Sequence, residues 1–237
     1  MHKQLEKADL ELVVRRLPKD VRTLMLANRG DLFVGGGFIR AVIANEDVSD
    51  IDFFGRSHAF LSGCATTVEG QRDKDHTRVL RTKNAITLAT ENRLPLQFIT
   101  RWRYETPEAI VDEFDFTICQ AVVYVRADGL FTSLVGPTFY SDLAAKRLVY
   151  TSPARDEEAG GSLMRVIKYV KRGYRIQAGS LGAVTARVVE KWEPGGRVSM
   201  ADYAVARMQE VDPLMIIDGM PVDDHETVNG LPDGESA

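Results

Sequence analysis

Apolar residues recur at helical spacing over residues 3 to 16 and again over 18 to 28, where Pro18 stands at a first-turn position that has no use for the N–H it lacks. The pattern then changes. "DLFV" predicts a short buried strand, three glycines follow, "FIRAVIAN" fits a short helix, and "SDIDFFG" alternates like a half-buried strand. Residues 57 to 70 are helical in spacing. "TRVLRTKNAITLATE" suggests a hairpin turning at Lys83-Asn84, and "LPLQFITRW" a further strand. Thr106 and Pro107 open a helix over "TPEAIVDEF", and "DFTICQAVVYV", an Asp128-Gly129 turn and "LFTSLV" predict another hairpin. From Pro137 onward strand signals cease, and four helical stretches are expected: "TFYSDLAAKRLV", "GSLMRVIKYVKRGY", "SLGAVTARVVEKW" and "SMADYAVARMQEV".

These elements predict a mixed α+β chain: a head over residues 1–136 with a mixed or antiparallel sheet flanked by helices, then a smaller helical part over 137–215. With 44% hydrophobic and 27% charged residues, 237 residues suffice for a substantial core. No apolar run is long enough to cross a bilayer, and the amino terminus has no signal-peptide core, so no membrane partner and a cytoplasmic location are expected. Cys64 and Cys119 lie in apolar company without metal-binding spacing, which predicts buried thiols, and the four histidines are scattered.

The net charge of −4 hides a segregated distribution. Leu163 to Trp192 holds seven Lys/Arg against the single acid Glu190, whereas the last thirty residues hold eight acids and no Lys or Arg. Residues 216–237, rich in turn formers and poor in apolar residues, read as an acidic, disordered tail that could compete with RNA for the basic helix.

"LFVGGGFIRAVIANEDVSDIDFF" concentrates the candidate chemistry. Glycines after a strand allow a tight turn and close approach of a phosphate, and a following helix offers unpaired N–H groups; the bland alternative is a simple turn. Strand alternation puts Asp50 and Asp52 on one face, and two adjacent carboxylates repel unless a divalent cation lies between them. Magnesium takes a few carboxylates together with phosphate oxygens and water, so this pair beside a glycine turn suits a metal–nucleotide site. A two-ion site calls for a third carboxylate. Asp115, at the start of an expected apolar strand, is preferred over Asp112, Glu113 and Glu91, the alternative being a strand-edge cap.

The stretch "VGGGFIRAVIANEDVSDIDFF" resembles the DNA polymerase β-like nucleotidyltransferase superfamily, and within it the head of the poly(A) polymerase and tRNA CCA-adding enzyme class. That class carries an apolar residue, Gly-Gly-x-x-Arg and, after a short interval, Asp-x-Asp; Gly36, Gly37, Arg40, Asp50 and Asp52 occupy those positions. "SLMRVIKYVKRGYRI" is similar to the class's first helical segment after the head, with Arg165, Lys168, Tyr169, Gly173 and Tyr174 in place. Together the segments span the functional parts of residues 30 to 175. The Arg or Asp-Pro-Arg that usually precedes this helix is replaced by "EEAGGS", and the base-reading Glu-Asp-x-x-Arg motif has only a loose analogue in Arg187 and Glu190.

The resemblance implies a template-independent nucleotidyltransferase that moves a nucleoside monophosphate from an NTP to a hydroxyl, with a tRNA or other RNA 3′ end as acceptor. Gly36 and Gly37 would hold the triphosphate, and Asp50, Asp52 and Asp115 would bind two Mg2+ or Mn2+ ions. Arg40, Arg165 and Lys168 would meet the nucleotide, and Lys171, Arg172 and Arg175 the RNA. Two other readings stay open: transfer to a protein or small molecule, as in toxin-like relatives, and a silent nucleotide- or RNA-binding module.

Overall fold

The computed structural model describes residues 1–153 and 159–209; the expected acidic tail lies outside them. Its centre is a seven-stranded sheet in the order β3-β4-β5-β2-β1-β6-β7, formed by β1 (Leu32–Gly35), β2 (Ile51–Gly55), β3 (Thr77–Arg81), β4 (Ala85–Thr90), β5 (Leu96–Ile99), β6 (Ala121–Val125) and β7 (Phe131–Val135). All neighbours are antiparallel except β2 and β5. This is the mixed, mostly antiparallel α+β sheet expected.

Strand alternation divides the core in two. Val34, Phe53, Phe98 and Val123 face a large apolar cluster shared with α1 (Lys7–Arg16), α2 (Lys19–Ala27), α3 (Gly37–Ile43) and α4 (His58–Gln71). Phe33, Phe54 and Val122 face the other way, onto Ile110 and Val111 of α5 (Pro107–Glu113) and onto Tyr104. The expected Thr106 cap is present: its hydroxyl accepts from the Ala109 N–H, with Pro107 at the first helical position.

The remaining elements are α6 (Phe139–Ala144), β8 (Arg147–Leu148), α7 (Ala159–Lys171), β9 (Arg175–Ile176), α8 (Ala178–Val189) and α9 (Met200–Gln209). Val166 and Tyr169 of α7, Tyr174 and Val184 join the large cluster, so apolar packing is continuous from the sheet into α7 and α8.

Four local expectations are corrected. The first helix begins at Lys7, because Lys3 instead pairs with Val135 and covers the outer edge of β7. Pro18 is the N-cap of α2 rather than a residue of its first turn. Strands do not cease after Pro137: the helix stops at Ala144, Lys146 takes a positive φ of 47°, and Arg147–Leu148 pairs in parallel with Arg175–Ile176. Finally, "DFTICQAVVYV" is not one strand. Thr117–Cys119 forms a 3₁₀ turn, β6 starts only at Ala121, and Asp115 lies in the link between α5 and that turn.

Candidate active site

A cleft opens where the ends of β1, β2 and β5 meet α7. Among its lining residues are Gly37, Arg40, Asp50, Asp52, Asp115, Arg165, Lys168 and Arg172, drawn from both sequence segments. Distant parts of the chain meet here because β1 lies between β2 and β6: Gly35 stands opposite Asp52, and β6 leads back through the 3₁₀ turn to Asp115.

The glycines have different jobs. Gly36 has φ 73° and ψ −128°, a conformation reserved for glycine, and an added Cβ would lie 2.9 Å from the Phe114 ring. A Cβ on Gly35 would press on Phe114, Phe54 and the Ala121 carbonyl. Both are buried, so their bareness serves the packing of Phe114 beneath the turn. At Gly37, which lines the cleft, a Cβ would meet nothing within 4 Å. This is the glycine with space above it for a ligand.

Asp50 and Asp52 line the cleft from one face of the β2 segment, both half-buried, and Ser49 Oγ donates to Asp50 Oδ1 at 2.7 Å. Two adjacent hard oxygen donors facing a cleft fit Mg2+ or Mn2+, which complete their shells with phosphate oxygens and water. Asp115 lines the same cleft, but its Oδ2 accepts from Arg165 Nη1 at 2.7 Å and Ser162 Oγ at 3.0 Å, and the residue is 3% exposed. Its backbone is braced as well: its carbonyl accepts from Thr151 N–H, and the Phe114 carbonyl from Thr151 Oγ1. Among the described residues no three Asp, Glu, His or Cys side chains gather as a metal-holding group. The weaker alternatives do not line the cleft: Glu113 accepts from the Tyr104 hydroxyl and Asp112 bonds with His2.

Among the described residues, Arg40 is one of the largest fully buried side chains. It forms an ion pair with Glu46, donates to the Tyr174 hydroxyl at 3.1 Å, and lies over the Tyr169 ring at 4.9 Å. Burial by itself would lower its pKa, but the ion pair with Glu46 and the bond to the Tyr174 hydroxyl help hold the guanidinium charged. The Arg of the first segment thus packs on the two tyrosines of the second, tying α3 to α7. The Cys119 thiol bonds with the Tyr169 hydroxyl at 3.0 Å, and burial, followed by the nearby Asp115 charge, pushes it up to about 11.

The basic residues divide. Arg165 and Lys168 of α7, and Arg172 in the turn just after it, line the cleft, whereas the exposed Lys171 and Arg175 are not among the lining residues. Arg187 pairs with Glu190 at 3.5 Å along α8, also outside the cleft. The sequence reading did not single out Asn84, Gln97, Arg101, Trp102 or Tyr104, all of which line the β5 side. Gln97 could have been found from its place in "LPLQFITRW", where it is the polar residue among apolar neighbours. Trp102 and Tyr104 carry no spacing signal, because they follow the strand in irregular backbone.

A family model described as Gabija anti-defense 2 family protein matches residues 4–146, more than half of the chain. The chain belongs to the Gabija anti-defense 2 family. A relative named Gabija anti-defense 2, from Bacillus phage SPbetaL7, is 28% identical over 152 residues, covering 62% of this chain and 35% of that protein. The chain therefore spans about a third of the length of the curated relative it matches. Among solved structures, the Thermotoga maritima CCA-adding enzyme complexed with tRNA superposes with a TM-score of 0.57 at 18% identity, over 80% of this chain and 46% of that one. A CCA-adding enzyme complexed with ATP gives 0.59 at 17% identity, over 81% and 47%. These likenesses establish a nucleotidyltransferase fold for this family member, as the sequence resemblance implied. No helix among the described residues is long and apolar enough to cross a membrane.

Proposed function

We propose that this protein is a divalent-metal-dependent nucleotidyltransferase that moves a nucleoside monophosphate from an NTP to an acceptor hydroxyl. One observation carries the reading: Asp50 and Asp52 face a cleft whose other wall holds Lys168 and Arg172, with the open Gly37 turn also in its lining. Carboxylates on one side and cations on the other match a metal–triphosphate, which needs both.

Asp50 and Asp52 would hold up to two Mg2+ or Mn2+ ions. When bound, the metal would polarise the α-phosphate and favour deprotonation of the acceptor hydroxyl. Gly37 leaves room for phosphate oxygens, while Lys168 and Arg172 offset charge on the departing pyrophosphate. Arg165 is already engaged by Asp115, and that pair holds α7 against the head so that its cations face the cleft. Arg40 serves the same end from beneath, as a positioning residue. Domain roles would follow: a catalytic head over 1–136, and the part expected over 137–215, whose described residues supply the cationic wall.

For the acceptor we favour an RNA 3′ end, a choice supported by the CCA-adding enzyme complexed with tRNA that shares the fold. A second reading, transfer onto a protein or small molecule, draws support from the cations: Lys171 and Arg175 do not line the cleft and Arg165 is ion-paired, which leaves a short basic track. The family description suggests that the modification acts against the Gabija defence. Incubation with each labelled NTP, Mg2+, cellular RNA and host lysate locates the label. Asp50→Ala and Asp52→Ala should abolish incorporation while the far-UV spectrum and melting temperature hold; full activity in either variant would refute the assignment. NTP binding without pyrophosphate release would instead mark a silent binding module.

A further inference from the structure

In-line displacement requires the attacking oxygen and the leaving pyrophosphate to lie on opposite sides of the α-phosphorus. The sheet makes this requirement specific. Asp52 sits on β2 with β1 on one side and β5 on the other, opposite Gly35 and Gln97 respectively. The β1 side leads to Gly37, α3 and the α7 cations, which suit the triphosphate. The β5 side leads to Gln97, Asn84, Arg101 and Trp102.

That second side is a built surface. The Arg101 guanidinium lies 5.7 Å from the centre of the half-buried Trp102 ring. Its backbone is pinned: the Asn84 carbonyl accepts from both Thr100 and Arg101 N–H groups, and Tyr104 N–H bonds to the Gly55 carbonyl. Tyr104 meets Phe54 edge to face at 5.9 Å, and Trp102 packs on the same cluster. A planar cation and an indole held beside a carboxylate pair offer stacking to a heteroaromatic ring whose sugar hydroxyl reaches Asp52.

Resting on the nucleotidyltransferase reading, we propose that Trp102 and Arg101 form the acceptor subsite and stack the terminal nucleobase of a single-stranded RNA. The 3′ oxygen–phosphorus bond forms as the bond from the α-phosphorus to the α,β-bridging oxygen breaks; pyrophosphate leaves toward Gly37 and the hydroxyl proton passes to water.

The test pairs two acceptors with three proteins. Short single-stranded oligoribonucleotides ending in an intact nucleoside or in an abasic ribose are offered with Mg2+ and each labelled NTP to wild type, Trp102→Ala and Trp102→Phe. The expected result is a KM for the intact oligonucleotide raised roughly five- to a hundred-fold by Trp102→Ala, largely restored by Trp102→Phe. Removing the base should impose a similar penalty on wild type and leave Trp102→Ala no worse. Equal impairment of Trp102→Ala on both acceptors would overturn the proposal, since a merely structural role ignores the base. Pyrophosphate release with the α-phosphate label carried to a protein or small molecule instead of the oligonucleotide would overturn it too, leaving nucleotidyl transfer intact. Absence of both label transfer and pyrophosphate would remove the two readings together.

Discussion

The Asp115–Arg165 pair separates two roles for a carboxylate that the sequence alone assigns to metal. Asp115 has a side chain 4% exposed, whereas Arg165 is 24% exposed. Arg165→Ala therefore leaves a carboxylate enclosed with Ser162 as its other hydrogen-bond donor, and breaking such a buried pair from one side costs about 3–5 kcal/mol. Asp115→Asn keeps the shape and leaves a guanidinium that reaches solvent, so the loss is that of a charge-assisted hydrogen bond, about 1.5–3 kcal/mol. The double variant should fall short of the sum, because removing either partner already removes the same interaction. Urea unfolding followed by tryptophan fluorescence measures all three, and single-turnover incorporation of labelled NTP measures the consequence for transfer. As a positioning pair, Asp115→Asn should raise the KM for NTP through a displaced α7 more than it lowers kcat. Additive stability losses, or an Asp115→Asn variant of full stability with kcat abolished, would refute the reasoning and return Asp115 to the metal.

Gly36→Ala should destabilise by about 1–3 kcal/mol from its backbone conformation, before any displacement of Phe114. Gly37→Ala should leave the melting temperature nearly unchanged yet raise the KM for NTP; equal melting losses at both glycines would contradict this division. Arg40→Met should lower stability by about 1.5–3 kcal/mol through loss of its charge-assisted bonds to Glu46, which keeps Lys146 at 4.0 Å, read by the same urea titration. Burial holds Cys64 and Cys119, both up to about 11, in the thiol form, so native protein at pH 8 should resist alkylation that urea-unfolded protein undergoes rapidly. Because these pKa values are raised above the ordinary 9.0, their stabilising effect is complete below about pH 9 and is lost as pH climbs toward 11. A melting temperature that held steady across that window would count against it.

Local chemistry settled much in advance. The periods of β1, β2, β4 and β5, the cap at Thr106, and the Asp50/Asp52 pair on one face of a strand all follow from spacing and side-chain type, which act within a few residues. Packing decided the rest. Whether a glycine is bare for a ligand or for a neighbour depends on Phe114, which is distant in sequence from Gly36; an arginine in a phosphate-binding pattern becomes a buried strut because Tyr169 and Tyr174 enclose it. Asp115, which its place in the sequence offers as a third metal ligand, meets Arg165 from a helix that begins more than forty residues later. The Trp102 platform exists only because β5 runs parallel to β2 and the chain beyond it is pinned at Asn84 and Gly55. Sequence spacing carries the identity of the chemical groups and their local faces, while the partner of each charge is fixed by contacts between segments, a property of no single stretch.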